Sequence, residues 1–241
     1  MRGKRLSESA FHKLEPSFHA QVERWRARRE LKSLAAPGSR PFFTLSRQFG
    51  CEAFVLAEDL AEKLNKALPT PAGWAVYDRA LMEKIAADCQ LNKTLLESLE
   101  KSVHGELDDY LASVFSRENL QLKAFRALVR TVRALALEGH CIIVGRGGAI
   151  LTRDLPGGVH IRLVAPFAWR AERIMEKRGL TREQAENLVR ESDNEREGYI
   201  HRFLGIDHRE ETFYHLIIHS ERIARELQIA LVLKLVSSAT C

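Results

Sequence analysis

From Phe42 onward, short apolar runs alternate with longer segments of helical periodicity, and this alternation narrows most what the chain can fold into. Phe42-Phe43-Thr44-Leu45, Trp74-Ala75-Val76-Tyr77, Cys141-Ile142-Ile143-Val144, His160-Ile161-Arg162-Leu163-Val164 and His215-Leu216-Ile217-Ile218 read as five strands. Between the first two, Leu56, Leu60 and Leu64, joined by Ala57 and Ala61, mark one face of a helix. Helical patterning resumes from Ala80 to about Cys89, and residues 116–138 form a long helix that turns Leu120, Leu128, Val132 and Leu135 inward. On that helix Lys123, Arg126, Arg130 and Arg133 lie three or four apart, which reads most simply as a solvated face. Further helices are predicted at about 167–178, 182–201 and 221–236. Strands separated by helices lie parallel in a sheet covered on both faces. The expected architecture is a three-layer α/β domain with a mainly parallel five-stranded sheet. Ligands on such sheets sit at the carboxyl ends of the strands.

Charge separates the first 40 residues from the rest. They hold ten Lys/Arg against four Asp/Glu, whereas the remaining 201 hold 27 against 28, so the net charge of +5 belongs to this leader. Nucleic acid is therefore not the expected partner of the body. Within the leader, Glu15-Pro16-Ser17 suits a helix start, and Phe18, Val22 and Trp25 follow at helical spacing among Arg24, Arg26, Arg28 and Arg29. Such a helix packs most simply on the body, a second copy or another partner. A break at Ala36-Pro37-Gly38-Ser39 separates it from the domain expected over 41–241. No run approaches the roughly 18 apolar residues of a membrane span, and no apolar stretch follows the basic start as in a secretory signal. Cys51, Cys89, Cys141 and Cys241 are scattered without a C-x-x-C pair, as expected of reduced thiols in a cytoplasmic protein.

Two strand ends carry the candidate chemistry. The first runs Ser46-Arg47-Gln48-Phe49-Gly50-Cys51-Glu52-Ala53 straight into a helix, the place where orphan N–H groups and the helix dipole favour an anion. The third ends in Gly145-Arg146-Gly147, where glycines let backbone approach a ligand and the arginine can fork onto a phosphate or base. With Tyr77-Asp78-Arg79, Ala165-Pro166-Phe167 through Arg170 and Arg173-Ile174-Met175, and Glu191-Ser192-Asp193-Asn194-Glu195-Arg196 with Tyr199, these runs resemble the cytidylate kinase-like family. The resemblance covers roughly residues 42–236 and leaves the leader outside.

It implies a P-loop nucleoside monophosphate kinase fold, with a helical acceptor-side insertion at 79–138 and a lid at 167–202. It also implies ATP-dependent phosphorylation of a nucleoside monophosphate, CMP or dCMP, with Mg²⁺ accompanying the nucleotide and no protein metal ligand assigned. Residues 46–53 would hold the donor phosphates, and Asp78, Arg79, Gly145, Arg146 and Gly147 would lie on the acceptor side. Arg170, Arg173, Arg190, Asp193 and Arg196 would close over the transferring group. Outside the resemblance, those arginines read as solvated ion pairs, Arg190–Asp193 among them, and Asp78 reads as a helix cap.

The first loop departs from the G-S-G-G that family members usually show. Glu52 and Ala53 stand where two of the glycines would, and neither a P-loop lysine nor a Ser/Thr hydroxyl follows, Val55 being nearest. A carboxylate ~4 Å from a phosphate oxygen would repel it by ~4 kcal/mol at an effective dielectric of 20, unless it points to solvent or holds the metal. A catalytically impaired, kinase-like nucleotide sensor or docking protein is therefore the rival reading. His215 and His219, four apart on one side of a strand, read as partly buried neutral residues rather than metal ligands. Cys51, at a helix start, is a candidate for a lowered pKa or simply a small residue filling the loop.

Overall fold

The computed structural model describes residues 40–70, 73–80, 82–83 and 120–239. The predicted leader helix and most of the insertion lie outside the described residues, and of the helix expected from Ala80 only the start, at 79–80 and 82–83, is described. Strands β1 (Phe42–Arg47), β2 (Ala75–Tyr77), β3 (Cys141–Val144), β4 (Gly158–Val164) and β5 (Leu216–His219) stand in the order β2-β3-β1-β4-β5. Every pairing is parallel: Phe43 faces Ile142 on one side and Val159 on the other. The helices are α1 (Ala53–Ala67), α2 (Leu120–Glu138), α3 (Gly148–Leu151), α4 (Phe167–Arg178), α5 (Arg182–Leu204) and α6 (Arg225–Ala239).

Period two along β1 builds both faces of the sheet. Phe43 and Leu45 join Leu56, Leu60 and Leu64 of α1 and Ile229 and Val232 of α6 in one core. Phe42 joins Leu128, Val132 and Leu135 of α2, with Ile150, Ile200 and Leu204, in the other. Thus α1 leaves β1 toward one face while α3 leaves the adjacent β3 toward the opposite face, which opens a crevice at their carboxyl ends. The α4–α5 hairpin carries a small core of its own, Ala171, Ile174, Ala185 and Val189, against which Phe49 packs. Thr181 and Gln184 form a reciprocal capping box at the start of α5, and left-handed Gly179 and Gly205 end α4 and α5. Among the described residues no helix is long and apolar enough to cross a membrane.

Two polar features run against the expected pattern. Arg133 does not belong to a solvated face. It is 8% exposed, donates to both carboxylate oxygens of Asp154 at 2.7 and 2.8 Å, and donates to the Leu151 carbonyl at 2.9 Å. The Arg133 hydrogen bonds hold the Asp154 carboxyl below its usual range. Asp154→Ala is expected to cost about 1–2 kcal/mol, discounted because the carboxylate is half exposed. Thermal unfolding should show a loss of about 2–4 °C per kcal/mol; an unchanged midpoint would show that water replaces the carboxylate freely.

The second feature lies on β4. His160 Nδ1 and Thr44 Oγ1 are hydrogen-bonded at 2.9 Å, the His160 N–H donates to His215 Nδ1 at 3.0 Å, and the two rings stand 5.1 Å apart. Burial, then the neighbouring His215, pushes the His160 pKa down to about 4. The unfolded chain takes up that proton near 6.5, so stability present above that pH is lost as pH falls toward 4. The full loss is about 3 kcal/mol. His208, pushed to about 4 by burial and then by Arg162, adds to the same window. Unfolding midpoints should fall between pH 7 and 4, and His160→Gln should flatten the curve; superimposable wild-type and variant curves would rule His160 out as the cause. Among the described residues no group of three or more His, Cys, Asp or Glu side chains is placed to hold a metal ion.

Candidate active site

The loop after β1 is laced to its surroundings. The Gln48 N–H donates to the Leu163 carbonyl at 3.1 Å, and Gln48 Oε1 accepts from the Ala165 N–H at 2.9 Å. The Phe49 N–H donates to Asp193 Oδ1 at 2.8 Å, and the Cys51 N–H reaches the Gln48 carbonyl at 3.4 Å. Gly50 turns at φ 93°, and an added Cβ there would meet Cβ of Arg170 at 2.9 Å. What stays available is the first turn of α1, whose leading N–H groups precede the Leu56→Glu52 bond that closes the helix and receive no side-chain cap. Orphan donors and a helix dipole of this kind favour an anion.

A crevice of about 730 Å³ lies over this turn, lined among others by Arg47, Phe49, Arg79, Arg146, Arg196 and Tyr199. Arg47 sits at the end of β1 with its guanidinium packed against Gly145, where a Cβ would fall 1.8 Å from Nη1. Burial first, then Arg196 and Arg146, push its pKa down to about 10, opposed by Asp78. No described residue accepts a hydrogen bond from it. Gly145, Arg146 and Gly147 all have positive φ (85°, 54° and 70°), and this left-handed run aims Arg146 across the crevice. Its guanidinium lies 4.5 Å from the Tyr199 ring centroid and pairs with Glu83, which also pairs with Arg79 at 3.4 Å. Burial lowers the pKa of Arg146 and of Arg196 and raises that of Tyr199. Of these four guanidiniums three share Glu83 and Asp193, and forked N–H donors of this kind are the chemistry that suits phosphate groups.

The predicted lid residues divide. Arg196 lines the crevice and pairs with Asp193 at 3.2 Å. Arg170 is buried and does not line the crevice. It donates to the Ala165 and Phe49 carbonyls at 3.1 and 2.9 Å and to Asp193 Oδ2 at 2.6 Å. Asp193 pairs with Arg170 and Arg196, not with Arg190. Arg190 pairs instead with Glu186 at 3.6 Å and lies over the Phe167 ring. Ser46 stays within β1, and Asp78 offers its carbonyl to the Met82 N–H, at the start of the next helix.

Glu52 takes neither escape foreseen for it. Its backbone keeps a glycine-like conformation, φ 51° and ψ 35°, and its carboxylate receives Arg173 at 2.6 Å, Lys177 at 3.1 Å and Arg225 at 2.9 Å. Burial alone would raise its pKa, but hydrogen bonds from Arg173 and Lys177 outweigh that and hold the carboxyl below its usual range. On the far side of Glu52 a smaller crevice of about 300 Å³ is lined by Cys51, Trp169, Arg173, Ser220, Ile223 and Arg225, among others. The Cys51 thiol is not activated: burial pushes its pKa up, and the Ser220 hydrogen bond and Arg170 only partly oppose this.

A protein-family model described as the cytidylate kinase-like family matches residues 43–222. The chain belongs to that family. Among solved structures, this cytidylate kinase-like chain is similar to an uncharacterized protein from Eubacterium ventriosum, with a TM-score of 0.65, 17% identity and coverage of 83% of this chain and 99% of that one. A shikimate kinase from Bacteroides thetaiotaomicron matches at TM-score 0.43 and 11% identity, covering 82% of this chain and 98% of that one. A shikimate kinase from Acinetobacter baumannii, solved with shikimate, matches at 0.46 and 15%, covering 83% and 94%. No curated protein matches the sequence. Five parallel strands between helices give this family member a three-layer α/β fold.

Several lining residues escaped sequence reasoning. Lys177, Trp169 and Arg225 border the crevices, as does Tyr199, which the motifs included without a role. Arg225 had a usable signal, since it follows the carboxyl end of β5. Lys177 and Trp169, one or two turns along α4, had none beyond helical spacing.

Proposed function

We propose that this protein transfers a phosphoryl group from ATP to a nucleoside monophosphate, CMP or dCMP by family resemblance. The observation that carries the reading is Arg47, a partly buried cation with no hydrogen-bond acceptor among the described residues, set among Arg79, Arg146 and Arg196 over the open first turn of α1. Glu83 and Asp193 offset only part of this charge, and a polyanion would offset the surplus. The residues present suit a triphosphate: orphan amides at the α1 start and arginines on the facing wall. For the accompanying Mg²⁺ the loop supplies no hydroxyl, and Glu52 is already shared by three cations, so the metal would arrive held by the nucleotide's own phosphates and water. ATP supplies the group transferred. The chain's work is alignment: Arg146 and Arg79 hold the acceptor phosphate, Arg47 and Arg196 face the charge that spreads during transfer, and the α4–α5 hairpin keeps water out. Asp193 is a positioning residue that ties the Phe49 amide to Arg170 and Arg196.

A coupled ADP-release assay across CMP, dCMP, UMP and AMP tests the reading. Turnover with one or more acceptors is expected, and none with any would reject it. The missing loop hydroxyl and the engaged Glu52 favour the second reading, a nucleotide sensor without catalysis, which predicts ATP binding with no ADP release.

A further inference from the structure

Glu52 lies on the wall shared by both crevices, and its position is unusual for a charged side chain. The backbone there is left-handed, a conformation that glycine adopts without strain and that glutamate does not favour. The frame of the loop therefore does not need a side chain at this point. What the carboxylate adds is a set of contacts. Oε2 accepts from Arg173 Nη2 and Arg225 Nη2, and Oε1 accepts from Lys177 Nζ. These cations come from two elements, α4 and α6, and converge where α1 begins. Asp59 shares Arg225 at 3.4 Å, so two carboxylates face three cations and a positive balance remains. Two oxygens gathering guanidinium and ammonium donors is also how a phosphate group is held.

We propose that Glu52 is a built-in competitor for the donor's phosphates: it occupies Arg173, Lys177 and Arg225 in the nucleotide-free protein, and a triphosphate binds by taking those cations from it. This rests on the nucleotide reading above and adds a determinant of affinity to it. The exchange leaves no cation unpaired, because the three pass from a monoanion to a polyanion that offers more oxygens, while the displaced carboxylate, only 19% exposed while held, turns to water. The three contacts also tie the hairpin and α6 to the loop before nucleotide arrives. Removing the carboxylate's charge without its bulk should raise nucleotide affinity and loosen the hairpin.

Calorimetric titration with Mg·ATP and with inorganic tripolyphosphate, on wild type, Glu52→Gln and Glu52→Gly, tests this, with thermal unfolding as the check on folding. Both variants are expected to bind both ligands about tenfold or more tighter, the order set by one unit charge removed at close range in a partly wet site. Glycine suits the left-handed backbone, so the second variant keeps the test valid should glutamine strain the loop. Variants that bind ATP as wild type does, less than fivefold tighter, or more weakly would overturn the competitor and leave Glu52 a structural tie. Tighter tripolyphosphate with no ATP binding would support the competition and reject the nucleotide reading. Silence of all three proteins toward both ligands would overturn both.

Discussion

Arg47→Met should abolish most activity while making the protein more stable. In the free protein the guanidinium faces Arg196, Arg146 and Arg79, with Asp78 as the opposing charge. Methionine keeps the stem, gives up the guanidinium's contact with Gly145 and removes a cation that its neighbours repel. A gain on the order of 1 kcal/mol is expected, about 2–4 °C in melting temperature for a chain of this size. Catalysis should move the other way. Removing one preorganised donor aimed at developing charge typically costs 10²–10³ in rate, and kcat/KM for the best acceptor should fall by about that factor. Melting curves and steady-state kinetics on the same preparation give both signs at once. Activity within twofold of wild type would show that the crevice's anion seat lies elsewhere; a lower melting temperature would show Arg47 to be a strut.

Arg170→Met is expected to do the reverse, with stability as the larger loss. The guanidinium joins three elements: the turn before α4 through Ala165, the phosphate loop through Phe49, and α5 through Asp193. Deleting it leaves two carbonyls and a largely buried carboxylate short of donors, which places the cost at about 3 kcal/mol. The melting temperature should drop by about 6–12 °C, and activity should follow because the Phe49 amide and Arg196 both depend on Asp193. Asp193→Asn should cost less, since an amide oxygen still accepts from Phe49. A catalytic role for Arg170 predicts the opposite pattern, lost turnover at an unchanged melting temperature.

Arg47 and Arg170 mark how far the sequence could be read. Both lie in motifs that point to phosphate chemistry, yet one faces the crevice and the other is a buried tie. The difference depends on a carboxylate 23 residues from Arg170 and on which side of α4 meets the loop. The elements were more legible than the contacts. Helix α4 begins and ends where sequence places it, because Pro166 opens it and Gly179 closes it. The five strands fall within two residues or so of their apolar runs, since few polar positions interrupt those runs. Helix α5 runs three residues past its expected end, to Gly205, whose left-handed turn terminates it. The four-residue α3 gave no periodic signal at all. Arg133 went unread as a buried cation because its partner Asp154 sits on a separate turn, beyond the reach of helical spacing. Glu52 was legible as an intruder but not as a shared ligand, because its cations arrive from helices more than a hundred residues downstream.

The place of β1 in the middle of the sheet also bears on how the protein is made. Phe43 pairs with Ile142 and Val159, so a strand that opens with two buried phenylalanines has no neighbour until about a hundred further residues have left the ribosome. Closing so long a loop is slow, and an unpaired apolar strand is prone to stick to others while it waits. A truncated chain ending before Cys141 would lack both flanking strands. It should behave as a collapsed, aggregation-prone polypeptide, and folding of the whole should proceed as one late, cooperative event.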